Sequence, residues 1–507
     1  MADLRPAFPR FAAVIASRPI WAALGLIALL TAARLAGTVD SDVAWQLWIG
    51  QRMLGGANLY RDIIETNPPL WFWMAIPLDK VAALLHVRVE AVLIITIAGL
   101  VALSLGATGR LVHHIEPYRR ALLLLYGALV LLAMPWMHIG QREQIALIGA
   151  VPYSALVAAR REGKAPPLLL AVVVGIGGAL GFALKHYFLI VPAMLELWLV
   201  TGVRRGWRAV RPETIGLVAV GAAYLAALLL LERDFLNDIV PLIRLAYGHF
   251  GAPSLRYLFG LPVIVGLVIL VFLIAHPRLL SSAPFACALA IAALGFALSY
   301  FIQFKGWPYH AIPLIGCASL GLAALVAETR VAPSLLRLLA PALLIMPFAL
   351  AAEEQMRPGL PGPDLLNAVS NLHPGDTIGF ITTETAVPWS VTLQGRYRYA
   401  SRYNGFWMME AILRNERLGD PDPRLALLGR QIVSQTVADF TCTPPRRIIV
   451  PRPRAGEDSF DILPFFLRDP KFAALLSHYR VRDRTSLETY ELIAPIPSPT
   501  AGCRKGV

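Results

Sequence analysis

Asp40, Ser41 and Asp42 stand just beyond the first long apolar run of the chain, followed by Gly55-Gly56, Tyr60, Asp62, Glu65 and Asn67-Pro68-Pro69. A charge in or near hydrocarbon is costly and usually persists for a function. Other polar residues gather in short connections between apolar runs. They are Gln141-Arg142-Glu143, Lys185-His186-Tyr187, the group Arg233, Asp234, Arg244, Tyr247 and His249, and the group Gln303, Lys305, Trp307, Tyr309 and His310. A carboxylate beside several cations suits a reaction on a phosphorylated substrate. The cations hold the phosphate and stabilise it as it departs, while the carboxylate takes a proton from an incoming hydroxyl. Arginine meets phosphate through a fork of donors, and lysine meets it as a point charge.

Each of these residues also has an ordinary structural reading. Lys185 and Lys305 can mark helix ends by snorkelling. Arg142 and Glu143 can form a local ion pair. His186, His249 and His310 lack metal-ligand spacing, and interfacial hydrogen bonding suits them better. His113-His114 lies in a basic loop and reads as a solvated face. Asp40 and Asp42 flank Ser41 ahead of a helix beginning near Ala44, so one is expected to cap that helix and the other to be functional.

The elements that must position these groups are membrane helices. Of 507 residues, 57% are hydrophobic and 16% charged, against about 25% charged in soluble domains. The mean hydropathy is +0.60. The expected fold is a polytopic α-helical membrane protein of about 11 spans, at 14–36, 89–111, 119–137, 141–160, 166–184, 187–203, 213–232, 258–276, 282–302, 308–328 and 331–352. Arg5, Arg10 and Arg18 precede a first run with no small-residue cleavage site, which reads as a retained signal anchor. The formal net charge is +13, but the basic residues form no patch or stripe of the kind that binds nucleic acid. They cluster at Arg5/Arg10/Arg18, Arg110/Arg119/Arg120, Arg160/Arg161/Lys164, Arg204/Arg205/Arg208/Arg211, His276/Arg278 and Arg330/Arg337.

These clusters decide the one ambiguous segment, 70–86, which carries Asp79 and Lys80. If it crossed, every later basic cluster would face away from the cytoplasm. If it lies along the outer surface, all of them fall inside. The expected topology therefore has a cytoplasmic N-terminus and an external C-terminus. Pro68-Pro69 suits the start of a surface helix, and Trp71 and Trp73 would sit at headgroup level.

The domain division follows from composition. Residues 1–352 read as a transmembrane catalytic domain with its first external loop at 37–88. After the turn-rich Pro358, Pro361, Gly362 and Pro363, residues 353–507 read as a small external α/β domain packed on or near the Asp42 loop. Short strands are expected at 376–383 and 447–450, an amphipathic helix at 464–477 and a closing strand at 487–493. Cys287 and Cys317 lie in apolar helices as small core residues. Cys442 and Cys503 lie where an oxidising compartment would permit a disulfide.

The run Asp40-Ser41-Asp42, Met53-Leu54-Gly55-Gly56, Leu59-Tyr60, Asp62, Glu65 and Asn67-Pro68-Pro69-Leu70 resembles the first external loop of GT-C class membrane glycosyltransferases. It is most similar to bacterial relatives of the protein O-mannosyltransferases and of the lipid A aminoarabinose transferase. The motif resemblance covers about the first 110 residues. It implies an inverting transfer of sugar from a polyprenyl-phosphate carrier to an envelope glycan, lipid or protein on the outer side of the bacterial inner membrane. It implies Asp42 as the catalytic carboxylate, with Asp40 second. Arg142, Lys185 and Lys305 would hold the donor phosphate, and Glu65, Asn67, His186 and Tyr309 would position the acceptor. A divalent cation on oxygen ligands such as Asp40 or Glu65 is compatible with this reading. The chain departs from the family in having Asp42-Val43 where Asp-Glu is common, and Asn67 where a Lys or His often precedes the proline. The rival reading is a transporter of lipid-linked saccharides. An odd span count and the lack of an internal repeat weigh against it.

Overall fold

The computed structural model describes residues 18–203, 206–249, 254–329, 334–356, 361–418, 421–452, 460–484, 486–497 and 503. Arg5, Arg10, Arg204, Arg205, Arg330 and Pro358, used in the sequence reading, lie outside the described residues, as does the start of the first span. The chain divides into two compact units. One comprises Met1–Val39, Val87–Ala227 and Ala252–Arg357, and the other Asp40–His86, Leu228–Gly251 and Pro358–Val507.

The first unit is helical. Helices occupy Pro19–Leu35, Val89–Leu111, Pro117–Ala128, Arg142–Arg161, Leu168–Ala183, Ile190–Val203, Pro212–Leu231, Leu261–Ile274, Pro284–Gln303, Ile312–Glu328 and Ser334–Met356, so a helix lies in every stretch read as a span. Among the described residues, 6 helices are long and apolar enough to cross a membrane: Val89–Leu111, His186–Val203, Pro212–Leu231, Pro284–Gln303, Pro308–Glu328 and Leu338–Met356. Ile20–Leu35, Leu168–Ala183 and Leu261–Ile274 are apolar but shorter.

Local chemistry fixes where these helices begin. Proline stands in the first turn of the helices at Pro117 and Pro284, where its missing N–H costs nothing. Glu116 caps the former by accepting from Tyr118 N at 3.1 Å and Arg119 N at 3.0 Å. Small residues let helix backbones approach one another. A Cβ on Gly175 would lie 2.4 Å from the Glu213 carbonyl oxygen, and one on Gly149 would lie 2.8 Å from that of Gly177. Any larger residue at either position would force the helices apart. At one end of this unit Glu213 accepts two hydrogen bonds from Arg160 at 3.0 and 2.9 Å and one from Arg211 at 2.9 Å.

The second unit combines the loop with the C-terminal residues. Its sheet contains β1 (Thr377–Phe380), β2 (Arg398–Tyr399), β3 (Arg447–Pro451), β4 (Tyr479–Arg484) and β5 (Leu487–Leu492), in the order β2-β1-β3-β5-β4. β1 pairs in parallel with β2 and β3, while β5 pairs antiparallel with β3 and β4. Phe406, Phe440, Ile448, Phe466 and Phe472 form its core. Three details differ from the sequence reading. The helix expected at 464–477 is two helices, Leu463–Leu467 and Pro470–Leu476. Pro470 opens the second, and Asp469 caps it at Lys471 N, 2.8 Å away. β5 does not close the sheet but lies between β3 and β4. Trp71 is 2% exposed, so its ring is buried in protein and is not presented at headgroup level.

The loop itself contains helices Ser41–Leu54 and Leu70–Leu85, packed so closely that a Cβ on Gly50 would lie 2.6 Å from that of Ala75. Cys442 and Cys503 form a disulfide with Cα atoms 5.4 Å apart.

Candidate functional site

The predicted site residues fall into two groups, one in each unit. In the loop, Asp40 is the N-cap of the Ser41–Leu54 helix, and its Oδ1 accepts from Asp42 N at 2.8 Å. The cap and the first-turn acid are thereby told apart. Asp42 sits half-buried in that first turn, where a negative charge is favoured by the helix dipole.

Glu65 is buried and organises the loop around itself. Its Oε1 accepts from Thr66 N at 2.7 Å, Asn67 N at 2.7 Å and Asn67 Nδ2 at 2.6 Å, and its Oε2 accepts from Trp45 Nε1. The Asn67 carbonyl in turn accepts from Tyr60 Oη at 2.8 Å. Trp45 lies one turn beyond Asp42 on the same helix, so Glu65 ties the acid-bearing helix to the Pro68-Pro69 segment. On its other side Trp45 packs against Trp389, centroids 4.8 Å apart, and against Trp48 at 4.9 Å. The Ile64 N–H donates to the Arg402 carbonyl at 2.8 Å. The loop and residues 389–402 are thus one packed structure.

The second group lies in the helical unit. The connection after Leu168–Ala183 carries Lys185, which donates to Glu143 Oε1 at 2.5 Å, Gln303 Oε1 at 3.0 Å and His310 Nε2 at 3.1 Å. Three donors thus meet three acceptors. Burial pulls the Lys185 ammonium down to about 8; the adjacent Glu143 opposes the shift, and Arg142 and Lys305 add to it. Arg142 and Glu143 are 4% and 0% exposed, at the start of their helix. Gln144 holds that helix start in place. It accepts from Gly140 N at 2.7 Å and donates to the Leu131 carbonyl at 2.8 Å in the π-helical turn Leu129–Ala133.

Buried polar atoms nearly always have partners. Here Arg142 Nε and Nη1, Glu143 Oε2 and His310 Nδ1 are buried with none. Tyr309 adjoins the cluster, with its ring centroid 4.6 Å from that of His310 and 6.0 Å from Lys185 Nζ. Lys305 is half-buried over Trp307, its Nζ 4.8 Å from the ring centroid. His186 is exposed, with its ring against Tyr187 at 3.8 Å.

The structure therefore joins Arg142, Lys185 and Tyr309, and places Lys305 in the electrostatic neighbourhood of Lys185. It keeps His186 out of the cluster. Glu143, Gln303 and His310 were recognisable as polar residues beside apolar runs, but nothing in the sequence joined residues 143, 185 and 310. Among the described residues, no group of three or more His, Cys, Asp and Glu side chains is gathered as metal ligands would be.

Apolar helices long enough to cross a membrane make this a polytopic helical membrane protein. The fold matches the crystal structure of ArnT from Cupriavidus metallidurans bound to undecaprenyl phosphate, over 94% of this chain and 98% of that one, with a TM-score of 0.55. The sequences are 14% identical, so the likeness is one of fold. No family model and no curated protein matches the sequence.

Proposed function

We propose that this protein is an inverting glycosyltransferase that moves a sugar from a polyprenyl-phosphate carrier to an envelope acceptor on the outer side of the bacterial inner membrane. The observation that carries this reading is the buried Arg142–Lys185 cluster, whose guanidinium has donors to spare, in a fold shared with an undecaprenyl-phosphate-bound protein. A buried arginine fork beside a lysine is suited to a phosphate and poorly explained by packing alone.

In this reading the Asp42 carboxylate takes the proton of the acceptor hydroxyl, and the freed oxygen attacks the anomeric carbon on the face opposite the phosphate. The bond between the anomeric carbon and the phosphate oxygen breaks. Its electron pair leaves with the polyprenyl phosphate, whose charge Arg142, Lys185 and Lys305 offset. Asp40 serves as cap, Glu65 and Asn67 hold the loop, and Tyr309 lines the donor side. A divalent cation is not required by any of these steps. A mostly apolar cavity of about 660 Å³ in the helical unit, with Arg256 and Glu353 also on its lining, would suit part of the carrier chain. It is walled by Met134, Leu261, Ile312, Ile315 and Leu350, with His138 and Glu354 paired at 3.0 Å.

Eleven crossings, a cytoplasmic N-terminus and an external C-terminal domain belong to the same reading. The Cys442–Cys503 disulfide supports the external assignment, because such bonds persist in oxidising compartments. The test is a transfer assay with purified protein in nanodiscs, using a panel of polyprenyl-phosphate sugars and envelope extracts. Labelled sugar on an acceptor is the expected result. Lipid-linked sugar crossing liposomes without transfer would contradict it and indicate a transporter.

A further inference from the structure

His310 offers a second anion-binding group that follows from hydrogen-bond bookkeeping alone. A lysine ammonium can only donate, so the 3.1 Å contact from Lys185 Nζ requires His310 Nε2 to accept. An imidazole accepting at one nitrogen carries its proton on the other. His310 is therefore the neutral tautomer with a hydrogen on Nδ1. That N–H is buried and has no partner, on a residue 3% exposed overall. Arg142, an electrostatic neighbour of His310, contributes Nε and Nη1 in the same condition. The three unfilled donors outnumber the one unfilled acceptor among these residues, Glu143 Oε2, and suit an anion's oxygens. Leaving such groups without partners in the finished protein would be a standing cost.

We propose that His310 is a substrate-binding residue, donating from Nδ1 to an oxygen of the donor's phosphate alongside Arg142. In this arrangement Lys185 does two things: it supplies positive charge, and it locks the imidazole as a neutral donor. Glu143 Oε1 and Gln303 Oε1 hold Lys185 where it can do so. The groups facing Lys185 and His310 are Glu143, Arg142, Lys305, Gln303 and the Tyr309 ring. The inference rests on the polyprenyl-phosphate reading for the identity of the anion, although the chemistry it names is phosphate from any source.

The test uses the two amides that mimic an imidazole nitrogen by nitrogen. His310→Asn places its amide N–H near the position of Nδ1. His310→Gln reaches the Nε2 position and leaves Nδ1 empty. Full-length protein in detergent is titrated with undecaprenyl phosphate and, separately, with inorganic phosphate, and binding is read by intrinsic tryptophan fluorescence. The expected result is binding of undecaprenyl phosphate by H310N within about threefold of wild type, and a loss of about tenfold or more in H310Q. Equal binding by H310Q and wild type would overturn the His310 assignment and leave the transferase reading standing. Wild-type protein that binds inorganic phosphate as tightly as the lipid, with the same His310 dependence, would uphold the assignment and overturn the lipid donor. Wild type binding neither ligand would overturn both. If H310Q fails to fold, His310→Ala with added imidazole carries the test. Restored binding supports the donor role, and absent restoration in a folded variant overturns it.

Discussion

The loop that carries Asp42 and the cluster around Lys185 are both rich in ionisable groups, and they use them in opposite ways. In the loop, carboxylates are committed to the fold. Asp40 caps a helix, Asp62 accepts from Asn58 N and Nδ2 at 2.8 and 3.0 Å, and Glu65 takes four donors. In the cluster, Lys185 is fully engaged, but Arg142 Nε and Nη1, Glu143 Oε2 and His310 Nδ1 are not. A carboxylate that satisfies backbone amides makes a loop rigid and positions whatever the loop carries. Buried polar atoms left over, three donors and one acceptor, are instead open to a ligand.

Substitutions can break or sharpen this contrast. The largest effect is expected from Glu65→Ala, which strands Trp45 Nε1 and the Thr66 and Asn67 amides. A loss on the order of 3 kcal/mol in stability follows, to be measured by thermal unfolding in detergent. Unchanged unfolding would remove the structural role given to this acid. A smaller effect is expected from pH. The Lys185 ammonium is held at about 8, so its charge is present below that pH and lost above it. Donor KM should therefore rise by about tenfold from pH 7 to pH 9, and a flat profile over that range would separate Lys185 from donor binding. The smallest effect is expected from Asp40→Asn. Asparagine caps about as well as aspartate, so activity and unfolding should both stay near wild type. A large loss of turnover would return Asp40 to the chemistry.

Much of the fold was legible because hydrocarbon imposes a simple rule on length and polarity. A helix stands in each of the stretches from 89–111 to 331–352 that the apolar runs and basic clusters marked. The C-terminal sheet was harder to read. β4 alternates less and more exposed residues, with Tyr479 buried, Val481 and Asp483 half-buried and Arg480, Arg482 and Arg484 exposed, and its charges, suited to a sheet edge, obscure the strand in the sequence. At the candidate site, the sequence marked polar connections but not how their residues pair. Asp40 and Asp42 are the same residue type two positions apart, and only the amide of Asp42 pointing at Asp40 tells the cap from the acid. His186 adjoins Lys185 in sequence yet turns outward, whereas His310, 125 positions away, receives its hydrogen bond. No local pattern encodes a contact of that separation, because it is made by helices packing side by side.

In the proposed reaction Asp42 is the base of a sugar transfer. The most direct measurement is the single-turnover rate of wild type and Asp42→Asn with the same polyprenyl-phosphate sugar and acceptor, on protein shown to unfold normally. A fall of about a hundredfold or more is expected, with donor binding retained. A rate unchanged by the substitution would contradict that role for Asp42.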